Sequence, residues 1–144
     1  MAGGQPREPG PSALDDATSA GITVLVVDDE PAIRTWVERV LARWGIDAVL
    51  AADGRQALRL VADGTVRPDV LLTDLEMPSM GGVELAARMH ALRPGMRIVM
   101  MTGDAGRAAA ARERSSLVAV VLDKPILISD LIAAVRPDME HAAT

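Results

Sequence analysis

VLLTDLEMP, residues 70–78, is the stretch on which the fold turns: three aliphatic side chains and a threonine run straight into a lone carboxylate, Asp74, with no alternation between apolar and polar positions. A short continuous apolar run that ends on polar residues reads as a strand buried on both faces. Working outward, four more runs of this kind stand at 23–27, 48–51, 98–102 and 118–122. Helical patterns separate them. Ile33, Trp36, Val37, Val40, Leu41 and Trp44 recur at helical spacing, with Gly45 placed to cap the end. Further helices fit 55–62, 83–92 and 105–114, and a last one carries Leu131, Ile132 and Val135 before Pro137 stops it. Strict alternation of strand and helix predicts an α/β domain, a doubly wound (βα)5 flavodoxin-like fold with a parallel five-stranded sheet in the order 2-1-3-4-5.

Bulk composition narrows the chemistry. The chain has 144 residues, 49% of them hydrophobic and 24% charged, which suits one compact domain that needs no staple. We expect a folded unit over 21–136, a mobile tail rich in Gly, Pro and acids over 1–20, and a short tail over 137–144. Cysteine is absent, so no disulfide, thiolate metal site or Cys nucleophile is available. No segment has the length of a membrane span and the start lacks a signal-peptide pattern, which predicts a cytoplasmic protein that does not engage membranes. A net charge of -5 argues against direct nucleic-acid binding, which needs a basic face.

In a doubly wound sheet the working crevice lies outside the carboxyl ends of the strands. The residues that follow the first, third, fourth and fifth apolar runs are Asp28–Asp29–Glu30, Asp74, Thr102 and Lys124. Carboxylates gathered at one edge repel one another unless a cation joins them. With oxygen donors alone and no His or Cys beside them, that cation is expected to be Mg²⁺. A carboxylate there can act as a nucleophile and become an acyl phosphate, while a metal and a lysine offset charge on the phosphoryl group. Asp74 suits the nucleophile, Asp28 and Asp29 the metal, and Lys124 the counter-ion. As an isolated feature, an acid pair after a strand serves equally well as a helix N-cap; its neighbours at the other strand ends favour a site.

The segments VLVVDDE (24–30), LLTDLEMPSMGG (71–82), IVMMTGD (98–104) and VLDKP (121–125) together resemble the receiver domains of two-component response regulators. The resemblance covers 21–136 and rests on several separated motifs. It implies that Asp74 accepts a phosphoryl group from a histidine kinase or a histidine phosphotransfer protein. It also implies that Asp29 contacts Mg²⁺ directly and Asp28 mainly through water, with the Glu76 main-chain carbonyl completing the protein ligands. Thr102 would turn to bond a phosphoryl oxygen, Lys124 would pair with another, and the Lys124–Pro125 bond would be cis.

Four departures from the family pattern stand out. An aromatic residue usually lies three positions before the lysine, but Val121 is there, and the chain has no Tyr or Phe anywhere. Gly81 replaces a usual aspartate, giving a Gly81–Gly82 pair expected to make the loop pliable. Glu76 and Asp104 stand two residues after the phosphoacceptor and the threonine, positions that tune phosphate lifetime in the family. Finally, Ile126, Leu127 and Ile128 replace the usual cap, leaving Ser129 to cap the last helix. With a stiff valine at 121, coupling is expected to run through the loop 102–106 and the Ala-rich helix after it.

Other features have plainer readings. Trp36 and Trp44 share a helical face and suit packing, the methionines suit core filling, and His90 and His141 suit the surface. Arg107, Arg112 and Arg114 fit either a docking patch or an ordinary solvated face. The leading function is a phosphorylation switch that signals to a separate downstream target protein and catalyses only its own phosphorylation and dephosphorylation. A Mg²⁺-dependent phosphohydrolase using an aspartyl phosphate, or a binding module independent of phosphorylation, are the alternatives. Against the hydrolase stand a nucleophile on the third strand rather than the first and no segment for a substrate cap.

Overall fold

In the computed structural model, residues 21–137 are described. The expected tails at 1–20 and 138–144, with His141, lie outside them. Elements follow in the order β1 (Thr23–Val27), α1 (Pro31–Arg43), β2 (Asp47–Ala51), α2 (Gly54–Ala62), β3 (Val70–Asp74), α3 (Gly82–Leu92), β4 (Arg97–Thr102), α4 (Ala105–Arg114), β5 (Val118–Asp123) and α5 (Ile128–Val135). The strands form one parallel sheet in the order β2-β1-β3-β4-β5, as the alternation predicts.

Strand residues divide between two apolar layers with period two. Val24, Val26, Val70, Leu72, Val99 and Met101 face α1 and α5, while Leu25, Val27, Leu71, Ile98 and Met100 face α2, α3 and α4. Because both faces are covered, no polar alternation survives in the sequence, and the runs read as continuously apolar. The methionines do fill core: Met80, Met89, Met96, Met100 and Met101 are all buried.

α1 ends as Gly45 foretells. That glycine has φ 74°, its N–H donates to the Ala42 carbonyl and the Ile46 N–H donates to the Leu41 carbonyl, the paired bonds of a Schellman motif. Other boundaries shift. Trp44 follows the last helical residue and is 44% exposed, so of the two tryptophans only Trp36 packs on the core. His90 is partly buried rather than on the surface. Ser129 does not cap α5: the helix starts at Ile128 on the Leu127 N-cap position, which makes no side-chain bond, and Ser129 already lies inside the first turn. Gly81 is the N-cap of α3, and Gly82 is its first residue. A Cβ there would stand 2.7 Å from the Asp74 carbonyl oxygen, so glycine is what lets α3 start against β3.

Candidate functional site

Register brings the strand ends together. Val27 pairs with Thr73, Asp74 with Met101 and Thr102 with Asp123, so Asp28, Asp74, Thr102 and Lys124 emerge along one edge of the sheet. Main-chain bonds continue past the strands: the Leu75 N–H donates to the Met101 carbonyl, and the Lys124 N–H to the Thr102 carbonyl, each at 2.8 Å. The Lys124–Pro125 peptide is cis, as expected.

Asp28, Thr102 and Asp74 are buried polar residues, while Asp29 is exposed. The Lys124 ammonium stands 3.3 Å from both Asp28 Oδ2 and Asp74 Oδ1, with the Glu30 carboxylate 3.9 Å away. Asp28 is fixed from its own loop, since its Oδ1 accepts the Glu30 N–H and its carbonyl accepts Arg34. Burial holds the Asp74 carboxyl above its usual pKa; Lys124 opposes the shift, and the charges of Asp28 and Glu76 reinforce it. Burial would lower Lys124, but the two carboxylates beside it outweigh that effect and raise it.

Asp28, Asp29 and Asp74 each offer an oxygen within 4.8 Å of the others. A compact set of carboxylate oxygens without nitrogen or sulfur fits a hard divalent cation such as Mg²⁺. Among the described residues no backbone N–H donates to the Glu76 carbonyl.

A second group of polar residues adjoins this one, and the sequence did not reveal it. The Thr102 hydroxyl donates to the Glu76 carboxylate, 3.1 Å from Oε2, and accepts the Asp104 N–H at 3.1 Å. Arg107 Nη1 lies 3.4 Å from the same Glu76 oxygen, and its Nε 3.8 Å from Asp104. Asp104 also caps α4 by accepting the Arg107 N–H. Arg107 is therefore engaged with the site rather than merely solvated. The spacing of Asp104 and Arg107, three apart at a helix start, was the one visible hint. Val121 is buried against the layer under α4, 7% exposed, with Arg112 Nη2 3.5 Å from its carbonyl.

The family described as the response regulator receiver domain matches residues 24–136. The chain belongs to that family. Among similar proteins is the DNA-binding transcriptional regulator NtrC of Escherichia coli (strain K12), 33% identical over 118 residues, which cover 82% of this chain and 25% of that protein. Sporulation initiation phosphotransferase F of Bacillus subtilis (strain 168) is 37% identical over 79 residues, 55% of this chain and 62% of the relative. The chemotaxis protein CheY4 of Vibrio cholerae has a similar structure, with a TM-score of 0.70 and 30% identity over 81% of this chain and 97% of that one. This receiver domain thus spans about a quarter of the length of the NtrC relative. Receiver domains act as signalling switches in two-component systems, and no described helix here is long and apolar enough to cross a membrane.

Proposed function

We propose that this receiver domain is a phosphorylation switch whose phosphoacceptor is Asp74. A histidine kinase or a histidine phosphotransfer protein is the donor, and a separate downstream target protein reads the result. The observation that carries the reading is the Lys124 ammonium set 3.3 Å from both Asp28 and Asp74 beside a compact trio of carboxylates. The Asp74 carboxylate attacks phosphorus, the bond from phosphorus to the donor's imidazole nitrogen breaks, and that nitrogen keeps the electron pair and takes up a proton. Asp28, Asp29, Asp74 and the Glu76 main-chain carbonyl would hold Mg²⁺, which would supply positive charge to the transferring group. Lys124 pairs with the phosphoryl oxygens once Asp74 is an acyl phosphate, while Asp28 keeps its hydrogen bond from the Glu30 N–H. Thr102 donates its hydroxyl to a phosphoryl oxygen after turning from Glu76. The chain acts on no separate substrate and catalyses only its own phosphorylation and dephosphorylation.

Incubation with acetyl phosphate and Mg²⁺, read by intact mass, is expected to add one labile phosphoryl group, and Asp74→Asn to abolish it. Undiminished labelling of that variant would sink the assignment, and steady turnover of acetyl phosphate would favour a hydrolase. Loss of labelling will not reflect unfolding. Asp74 binds its proton more tightly in the folded chain than in the unfolded one, so its contribution falls as pH rises through the carboxylate range. The neutral amide removes that cost at neutral pH, and Asp28 still pairs Lys124. The variant should unfold at a denaturant concentration no lower than wild type at pH 7.

A further inference from the structure

Thr102 has one hydroxyl proton, and a hydroxyl donates one hydrogen bond at a time. In this structure that proton goes to Glu76, so none is left for a phosphoryl group on Asp74. The Glu76 carboxylate receives a second hold from outside the sheet, the Arg107 guanidinium of α4 at 3.4 Å. One carboxylate thus joins the side chain needed at the acceptor to the first turn of the helix beside it.

We propose that Arg107 is a positioning residue for the phosphoacceptor site, and that the chain Arg107–Glu76–Thr102 connects the charge on Asp74 to the placement of α4. The inference rests on Asp74 being the phosphoacceptor. It gives this chain a connection that does not need the aromatic side chain absent at Val121. Phosphorylation replaces the single negative charge of the Asp74 carboxylate with roughly 1.5–2 on the acyl phosphate. The Glu76 carboxylate, held 3.1 Å from the Thr102 hydroxyl, is repelled by that charge, and Thr102 turns its hydrogen bond to the phosphoryl group. Arg107 stays paired with Glu76, so the start of α4 moves with it. There is room for this: a cleft of about 440 Å³ between α3 and α4 is lined by Glu76, Gly82, Arg107, Ala110 and Ala111. α4 itself buries only Ala108 and Ala111.

The test compares wild type, Arg107→Ala, Arg107→Lys, Glu76→Gln and Arg114→Ala. Arg114→Ala removes the same charge from the same helix, and among the described residues Arg114 makes no ion pair with Glu76. Two quantities are read: the rate of labelling by acetyl phosphate, and the amide shifts of residues 102–116 with and without beryllofluoride. Losing a partly exposed ion pair frees Thr102, so Arg107→Ala should label roughly two- to fivefold faster than wild type. With beryllofluoride, its amides over 105–114 should shift less than those of wild type, because nothing then ties the start of α4 to Glu76. Glu76→Gln, which keeps an acceptor oxygen but loses the ion pair, should move the same way. Arg107→Lys should recover part of the wild-type behaviour, and Arg114→Ala all of it. The proposal is overturned if wild type labels and responds to beryllofluoride while Arg107→Ala matches Arg114→Ala in both readouts. It is also overturned if the wild-type response centres on 120–122 and leaves 105–114 unchanged. Absence of labelling in every variant, wild type included, instead fells the phosphoacceptor reading, and this inference goes with it.

Discussion

α1 and α4 cover opposite faces of the same sheet and are held there by different means. α1 buries Val37, Val40 and Leu41, packs Ile33 and Trp36 against the same layer, and is closed by a Schellman motif that seats Ile46 in the core. Burying each such aliphatic side chain stabilises by about 1.5–3 kcal/mol. α4 buries two alanines, each worth roughly one methyl group, or about 0.8 kcal/mol. Its remaining ties are polar and lie near the surface: the Asp104 cap, the Arg107 ion pairs and the long Arg112 bond to Val121. Exposed ties of that sort are weak one by one and rearrange at low cost. One face of the sheet carries a helix held by apolar burial; the other carries α4, held mainly by polar ties near the surface.

Core truncation should separate the two most. Leu41→Ala should lower unfolding free energy by about 2–5 kcal/mol in urea denaturation. Ala111→Gly should lower it by only about 1 kcal/mol, mostly lost helix propensity; equal costs would erase the contrast between the helices. Hydrogen exchange offers a finer reading. Amides of 105–114 should exchange through local opening, with protection roughly tenfold or more below that of 31–43, and equal protection would show that α4 is held as firmly as α1. The smallest effect is expected from Mg²⁺ on tryptophan fluorescence. Trp36 packs within α1, and Trp44 lies beyond a helix about 20 Å long whose other end faces the site. Emission should hardly change at saturating Mg²⁺, and strong quenching would place the metal near the α1 face.

The strands were legible because each is a short apolar run, and four of the five lead into a polar residue of the site. Helix starts were less so. The sequence pattern starts these helices at 55 and 83, yet Gly54 and Gly82 are the first residues of theirs. At Gly54 a Cβ would stand 2.7 Å from Met80 Sδ, and at Gly82 equally near the Asp74 carbonyl oxygen, approaches that only tertiary structure discloses. Ser129 looked like a cap because composition marks capping residues; the helix starts at Ile128, two residues earlier than that cap requires. Asp28, Asp29, Asp74, Thr102 and Lys124 could be named because a parallel sheet delivers strand ends to one edge. The pairing of Glu76 with Arg107 could not: it joins a loop to the first turn of α4 through side chains, and nothing periodic links them.

The thin packing of α4 also bears on signal and background. In the proposed switch, a helix with so few apolar contacts would visit displaced placements even without phosphate, and a target that prefers those placements would bind a fraction of unmodified molecules. That fraction sets the leak of the switch, and phosphorylation raises occupancy only by the ratio of the two populations. Each added apolar contact under Ala108 or Ala111 would quieten the resting state and, by the same amount of free energy, make the phosphorylated state harder to reach. Dynamic range and sensitivity are thus traded along a single line of alanines.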